Sequence, residues 1–358
     1  MLACAASAAL TACGGDDNNN NNGGTPPAGQ FRATVLTSDG SVAAANIDPN
    51  LKNAWGLAES KTSTIWNSDN NTKKSSLHDG NGVTQSLVVA IPPNAAGALA
   101  GPTGMVNNPS TTDFQISSGG KTAAAVFMWA TDAGTIAAWS PNVLPTDAVN
   151  AFDDQTGGAV YKGLTVASNN GANFLYAADF HNKKVDVFNN TFTKVQLAGS
   201  FTDPNLPAGF SPFGIQAIGT SVFVAYAELG PDGKTQVAGA GLGVVDQFDT
   251  AGNFVKRLVT AGVLNAPWGM VQAPANFGAA SGQLLIGNFG DGALNMFNPT
   301  TGALEGPLLQ TNGTPFVQKG LWGLLFGNDT NNQPSNTLFY SAGPTPTTGV
   351  FGRIDLMP

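Results

Sequence analysis

Cysteine and histidine are almost missing from this chain, with two of each in 358 residues. Cys4 and Cys13 both fall within the first thirteen positions. The remainder can therefore hold no disulfide framework, thiol nucleophile or zinc–thiolate centre. His78 and His181 are too few for a histidine-rich metal site. Charge is scarce as well: 11% of residues are Asp, Glu, Lys or Arg, and the formal net charge is −8. That is less than half the usual charged share. The 15 Lys and Arg form no cluster, so the basic footprint that phosphate binding needs is missing and nucleic acid is not a partner. No apolar run approaches the roughly 18 residues of a membrane-spanning helix. There is no Gly-x-Ser-x-Gly elbow, no His-Glu-x-x-His helix and no complete phosphate-binding loop ending in Gly-Lys-Ser/Thr.

What is abundant points elsewhere. Gly (45) and Pro (22) supply frequent turns, and 42% hydrophobic residues can fill a core. The first segment has its own character. Residues 2–12 are apolar or small and read as a signal h-region. Leu10-Thr11-Ala12-Cys13 resembles the lipobox of bacterial lipoproteins, which implies cleavage before Cys13 and a diacylglyceryl group on its thiol. The Asp/Asn/Gly/Pro tract that follows cannot bury apolar area and reads as a flexible tether. The expected organisation is a signal over 1–12, a lipidated Cys13 with its tether over 13–29, and one domain over 30–358. Gly14 rather than Asp after the cysteine suggests the outer membrane or periplasmic face of a cell envelope.

A repeat organises the rest. Bulky or Pro-led approaches, then Gly, then apolar residues recur at Trp55-Gly56-Leu57, Thr103-Gly104-Met105, Lys162-Gly163-Leu164, Phe213-Gly214-Ile215, Trp268-Gly269-Met270 and Trp322-Gly323-Leu324. The glycines are 48, 59, 51, 55 and 54 residues apart. Six units near fifty residues suit six four-stranded sheets, an all-β, six-bladed propeller. Glycine in a strand marks close backbone approach, as expected of innermost strands crowding an axis. Aromatic and β-branched second strands follow, among them Ile65-Trp66-Asn67-Ser68-Asp69 and Leu175-Tyr176-Ala177-Ala178-Asp179. Blade six lacks a fourth strand, whereas residues 31–36 form a spare one. Pairing them closes the ring and removes its free edge.

The chain resembles an uncharacterised bacterial envelope family of propellers. The resemblance rests on Asn53-Ala54-Trp55-Gly56, Tyr176-Ala177-Ala178-Asp179-Phe180-His181-Asn182, Phe201-Thr202-Asp203-Pro204-Asn205-Leu206-Pro207, Pro267-Trp268-Gly269, Gly287-Asn288-Phe289-Gly290-Asp291-Gly292 and Gly320-Leu321-Trp322. More distantly it is similar to NHL-type repeats and to gluconolactonase-like propellers, which would imply a metal-dependent site at the central channel.

Candidate chemistry gathers on one rim. Asp69, Asp132 and Asp179 end second strands, with Asn288, Tyr226 and Ala342 at the equivalent places. Such a partial ring of oxygens could hold Ca²⁺; the simpler reading is that each accepts backbone N–H groups in its own turn. His181 could act as a general base, although a lone loop histidine is more often solvated. Trp55, Phe213, Trp268 and Trp322 could form a stacking floor for a ligand, or pack blade against blade. Residues 227–241, which contain Glu228, read as a long loop on this rim. Two function classes fit: a lipid-anchored binding or scaffolding module for a protein or small molecule, and a metal-dependent hydrolase or lactonase. They separate on whether at least three of Asp69, Asp132, Asp179, Glu228 and Asn288 converge within metal-ligand reach. Glu59, Glu228 and Glu305 are the only glutamates, and none occupies the recurring first-strand position. That shortage favours the binding class.

Overall fold

Six glycines close a circle. A Cβ on Gly56 would come within 3.0 Å of backbone at Thr103. Gly104 would meet Leu164, Gly163 would meet Ile215, Gly214 would meet Trp268, Gly269 would meet Trp322, and Gly323 would meet Trp55. Each innermost strand thus rests its glycine on the backbone of the next blade's innermost strand, and the last rests on the first. The computed structural model describes residues 30–154 and 156–357. Cys13 and the tether lie outside the described residues.

Each blade is an antiparallel sheet. Blade one consists of Ala54–Ala58, Ile65–Asp69, Lys74–His78 and Thr84–Ala90. Blade two has Pro102–Asn107, Phe127–Thr131, Thr135–Trp139 and Val149–Asp153. Blade three has Tyr161–Asn169, Ala172–Asp179, Lys184–Phe188 and Lys194–Val195. Blade four has Phe210–Ile218, Ser221–Leu229, Val244–Asp249 and Phe254–Thr260, with Gln236–Val237 added beside its second strand. Blade five has Pro267–Gln272, Leu284–Asn288, Leu294–Phe297 and Leu304–Pro307. Blade six has Leu321–Phe326, Thr337–Thr345 and Thr348–Leu356, and its fourth strand is Phe31–Ser38. That strand pairs antiparallel along Thr348–Leu356, from Phe31 opposite Leu356 to Ser38 opposite Val350. The expected closure is therefore how the ring is built.

Two details depart from the repeat. The long 59-residue interval holds an extra hairpin in blade two, Gln115–Ser118 with Lys121–Ala124. Its turn is Gly119-Gly120, both at positive φ (58° and 78°), which is the backbone a two-residue hairpin requires. And residues 227–241 are not one long loop, because the second strand of blade four continues to Leu229 and pairs there with Gln236–Val237.

Apolar clusters fill the spaces between neighbouring blades. Trp66 of blade one, for example, lies against Phe127 and Trp139 of blade two, with ring centroids 4.3 and 5.0 Å away. Polar clasps reinforce three of these seams. In each, an aspartate on the connector entering a blade meets a cation or histidine of that blade. Asp48 Oδ2 lies 3.2 Å from His78 Nε2, Asp154 Oδ1 3.1 Å from Lys194 Nζ, and Arg257 Nε donates to Asp203 Oδ2 at 2.9 Å.

The blade-four clasp carries a testable pH signature. Asp246 is fully buried beside Asp203. Burial pushes its carboxyl up to about 7; the Asp203 charge adds to this and Arg257 opposes it. A carboxyl raised on folding contributes stability that is complete below its unfolded pKa and is lost as pH rises through the folded value. Stability should therefore fall between pH 5 and pH 8, by on the order of 3 kcal/mol from this group. Asp246→Asn should flatten that slope in thermal melts taken across this range. An unchanged slope would assign the pH dependence to another group.

Candidate functional site

The axis has two ends, and the sequence makes them different. The residues just before the six repeat glycines are Trp55, Thr103, Lys162, Phe213, Trp268 and Trp322. At the end where the innermost strands begin, the aromatics collapse on one another. Trp55 stacks on Trp322 at 3.5 Å, Trp268 meets both edge-on at 5.9 and 5.6 Å, and Phe289 stacks on Trp322 at 4.1 Å. Phe213 and Phe180 complete the cluster. Trp55, Trp268 and Trp322 are thus brought together as expected, but as a plug, all three buried. They seal this mouth and present no stacking floor.

Lys162 is the polar member of the plug, and only 7% of it is exposed. Its ammonium lies 5.0 Å from the centre of the Trp55 ring and 6.0 Å from that of Phe180, cation–π contacts that partly replace lost water. Burial lowers its pKa to about 8, against the opposing pull of Asp132 and Asp232.

The rim residues serve the backbone. Asp179 Oδ1 accepts from the amides of Val160 and Asn182. Asn288 Oδ1 accepts from the amide of Asn265, and its Nδ2 donates to the Val263 carbonyl. Asp132 Oδ1 accepts from the amide of Gly101, and Oδ2 from Asn70 Nδ2. Each clamps the chain just ahead of its own blade's first strand. Asp132 does so from one position beyond the equivalent site, which belongs to Thr131: Thr131 lies opposite Pro102 as Asp69 lies opposite Ala54 and Asp179 opposite Tyr161. Asp69 has no such amide. It turns into the seam between blades six and one, fully buried, and burial followed by the Asp48 charge pushes its carboxyl well above the usual range, against Ser76 and Lys74.

Glu228 lies within the sheet, paired with Phe210 and Val237. His181 is exposed, and its Nδ1–H donates to the Gly233 carbonyl at 2.8 Å. Among the described residues, the one group of three acids with ligand atoms within 4.8 Å of one another is Asp154, Asp179 and Asp186. It lies off the axis, and Lys194 Nζ already sits on Asp154 and Asp186. Asp69, Asp132, Asp179 and Asn288 are committed to separate places, and three of them accept backbone N–H groups, as the simpler of the two readings has it.

At the level of the glycines the channel narrows to about 40 Å³, room for a few waters. It widens again where the innermost strands end. The second and third residues after the repeat glycines, among them Ala58, Glu59, Val106, Asn107, Thr165 and Gln216, line an open mouth of about 220 Å³. Glu59 is its only charged lining residue. Oε2 accepts from Gln333 Nε2 at 2.7 Å. Burial raises the carboxyl to about 8, with Asp329 adding and Gln333 opposing. A carboxyl poised there is protonated near neutrality and can donate a hydrogen bond, or exchange a proton with a bound group. Sequence reasoning passed over Glu59 because it falls three residues beyond the repeat glycine. The polar residue at the same offset in blade two, Asn107, was the available signal.

No family model matches the chain. Among curated proteins it is 33% identical over 303 residues to the uncharacterized protein R648 of Acanthamoeba polyphaga mimivirus, covering 82% of this chain and 73% of that protein. It is 32% identical over 303 residues to the uncharacterized protein L690 of the same virus, covering 82% and 78%. The chain belongs to the family of these viral proteins. They give no support to membership of a bacterial envelope family. Among solved structures, the soluble aldose sugar dehydrogenase of Escherichia coli in its apo form superimposes with a TM-score of 0.54 at 12% identity, over 91% of this chain and 99% of that one. A protein assigned as a gluconolactonase gives 0.53 at 13%, over 92% and 94%. At these identities the likeness is one of fold.

Proposed function

We propose that this protein is a binding module, a propeller whose small-molecule site is the open axial mouth around Glu59. The observation that carries this reading is the asymmetry of the axis: one end is filled by a buried aromatic plug, and the other is a hollow of about 220 Å³ where one carboxyl lies among Asn107, Thr165, Gln216 and apolar side chains. Convergent polar groups on a partly apolar lining, with a perturbed carboxyl among them, are the marks of a ligand site. The hollow beside Leu99 and Lys234 on the opposite rim is larger, about 310 Å³. Its acids, however, are already bonded: Asp132 to Gly101 and Asn70, and Asp154 to Lys194. A metal-dependent lactonase would need carboxylates turned into the channel, and Asp132 and Asp179 spend theirs on backbone.

Methyl NMR with small alcohols, amines and lactones as probes tests the site. Shifts should concentrate at Leu57, Met105, Val106 and Leu324, and Val106→Trp, which fills the mouth, should abolish them. Shifts centred on Leu99, or none at all, would refute it.

The same proposal places the module on a membrane, held through Cys13 in a cell envelope, because Leu10-Thr11-Ala12-Cys13 offers a lipidation site. Stable anchoring needs more than one acyl chain, and a diacylglyceryl cysteine supplies two. Cys13→Ser should move the protein from the membrane pellet to the soluble fraction. Wild-type protein that is already soluble would remove the anchor and leave the binding site unaffected.

A further inference from the structure

The open mouth at Glu59 is one-sided in its hydrogen bonding. Gln333, on the loop between the first two strands of blade six, is buried. Its Nε2 faces three oxygens: Glu59 Oε2 at 2.7 Å, Asn328 Oδ1 at 3.0 Å and the Ser63 carbonyl at 3.3 Å. An amide nitrogen can only donate, so these three acceptors fix its orientation. Oε2 is then the carboxyl oxygen that accepts from Gln333, and Glu59 Oε1 is left for an occupant.

The lining amides repeat this pattern. Asn107 Nδ2 donates to the Val126 carbonyl at 2.9 Å, and Gln216 Nε2 to the Ala217 carbonyl at 3.3 Å. Each nitrogen is anchored on backbone, which leaves the carbonyl oxygen as the unbonded end. Thr165 Oγ1 accepts from the Ala217 amide at 3.0 Å. Glu59, Asn107, Thr165 and Gln216 follow the innermost strands of four successive blades and line one hollow of about 220 Å³. No Lys, Arg or His lines it. The charged group that acts on Glu59 from outside the lining is Asp329, which is also negative.

Such a site is rich in acceptors and carries a single negative charge with no cation beside it. We propose that its occupant is a small organic monocation, a primary ammonium on a short apolar body, which pairs with Glu59 and gives its other N–H groups to Asn107 and Gln216. The inference rests on the mouth being the ligand site. An ammonium offers three donors and no acceptor, the complement of this lining, and its hydrogen bond to a carboxylate is of the strong, charge-assisted kind. Met105, Val106 and Leu324 supply the apolar contact. An anion would meet Glu59 and Asp329 with no positive group to receive it.

Arrival of the ammonium must displace the carboxyl proton, which passes to the buffer. Burial keeps Glu59 protonated up to about pH 8, so binding at pH 7 should release about 0.9 of a proton, and affinity should rise at least about tenfold from pH 6 to pH 8.5.

Butylamine, butanol and butyrate, titrated into the full chain by methyl NMR and calorimetry, test this. At pH 8.5 butylamine should bind at least about tenfold more tightly than butanol, and butyrate should not bind. Calorimetry at pH 7 in buffers of different ionisation enthalpy should show the released proton. Glu59→Gln should bring amine and alcohol within about twofold of each other. Equal affinities in the wild type, or an amine affinity that does not rise with pH, overturn the ammonium assignment while shifts at Met105 and Val106 still uphold the mouth as the site. A Glu59→Gln variant that keeps the amine preference overturns it as well. No shift at the mouth from any of the three removes the site and this inference together. The wild-type series decides the matter even if the variant fails to fold.

Discussion

Removing residues 13–36 should lower the melting temperature sharply, whereas removing residues 13–29 should leave it unchanged. The longer deletion takes most of the strand Phe31–Ser38, the fourth strand of blade six. Phe31 and Leu36 are both buried. Phe31 also sits 4.7 Å from Phe277, on the blade-five side. A fully buried large apolar side chain contributes about 1.5–3 kcal/mol. The ladder to Thr348–Leu356 adds net hydrogen-bond energy of about 0.5–1.5 kcal/mol per bond. Together these rival the roughly 5–15 kcal/mol that holds a whole domain folded. The loss also exposes a long strand edge, an aggregation hazard. Thermal melts of the two truncations, with aggregation followed by light scattering, check this. Equal stability would mean that the ring closes without its N-terminal strand.

Gly269→Val is expected to be nearly as severe. The new Cβ would fall within 3.0 Å of the Trp322 carbonyl oxygen and touch Leu324. Overpacking against side chains typically costs about 1–3 kcal/mol. Here the obstacle is the backbone of the neighbouring innermost strand, which cannot rotate away, so about 3 kcal/mol or more is expected. With an unfolding entropy of about 2.1 cal/mol/K per residue, that corresponds to roughly 4 °C or more in Tm for a domain spanning residues 30–358. Gly171→Ala provides the contrast, because nothing lies within 4 Å of its Cβ position. Its φ of 82° should leave only the milder strain of a left-handed residue. A Gly269→Val protein that melts like wild type would separate the repeat glycines from blade contact.

These two positions were legible in the sequence for physical reasons. A site with no room for a side chain must be glycine in every blade, so the ring announces itself as a spacing. A missing strand at one end and a spare strand at the other have one economical resolution. The functional features were harder to read because they depend on geometry that the repeat does not encode. Asp132 lies one place past its apparent equivalents, because Thr131 is the residue opposite the start of the innermost strand. Asp48, Asp154 and Asp203 sit at unrelated offsets and meet their partners only when blades pack. Trp55, Phe213, Trp268 and Trp322 gather together with Phe180 and Phe289, and the six crowd so narrow an axis that they fill it. Glu59 becomes conspicuous only once the ends of the innermost strands converge around it.

The most direct test of the account is hydrogen–deuterium exchange at the indole N–H groups of Trp55, Trp268 and Trp322. All three are buried and without hydrogen-bond partners, so only the packing of the plug protects them. A sealed mouth predicts exchange slowed toward the rate of global unfolding, with probes that occupy the mouth at Glu59 slowing it further only as much as they stabilise the whole domain. Exchange within the dead time of the measurement would mean that the aromatic end is open to solvent, contradicting the assignment of the ligand site to the opposite mouth.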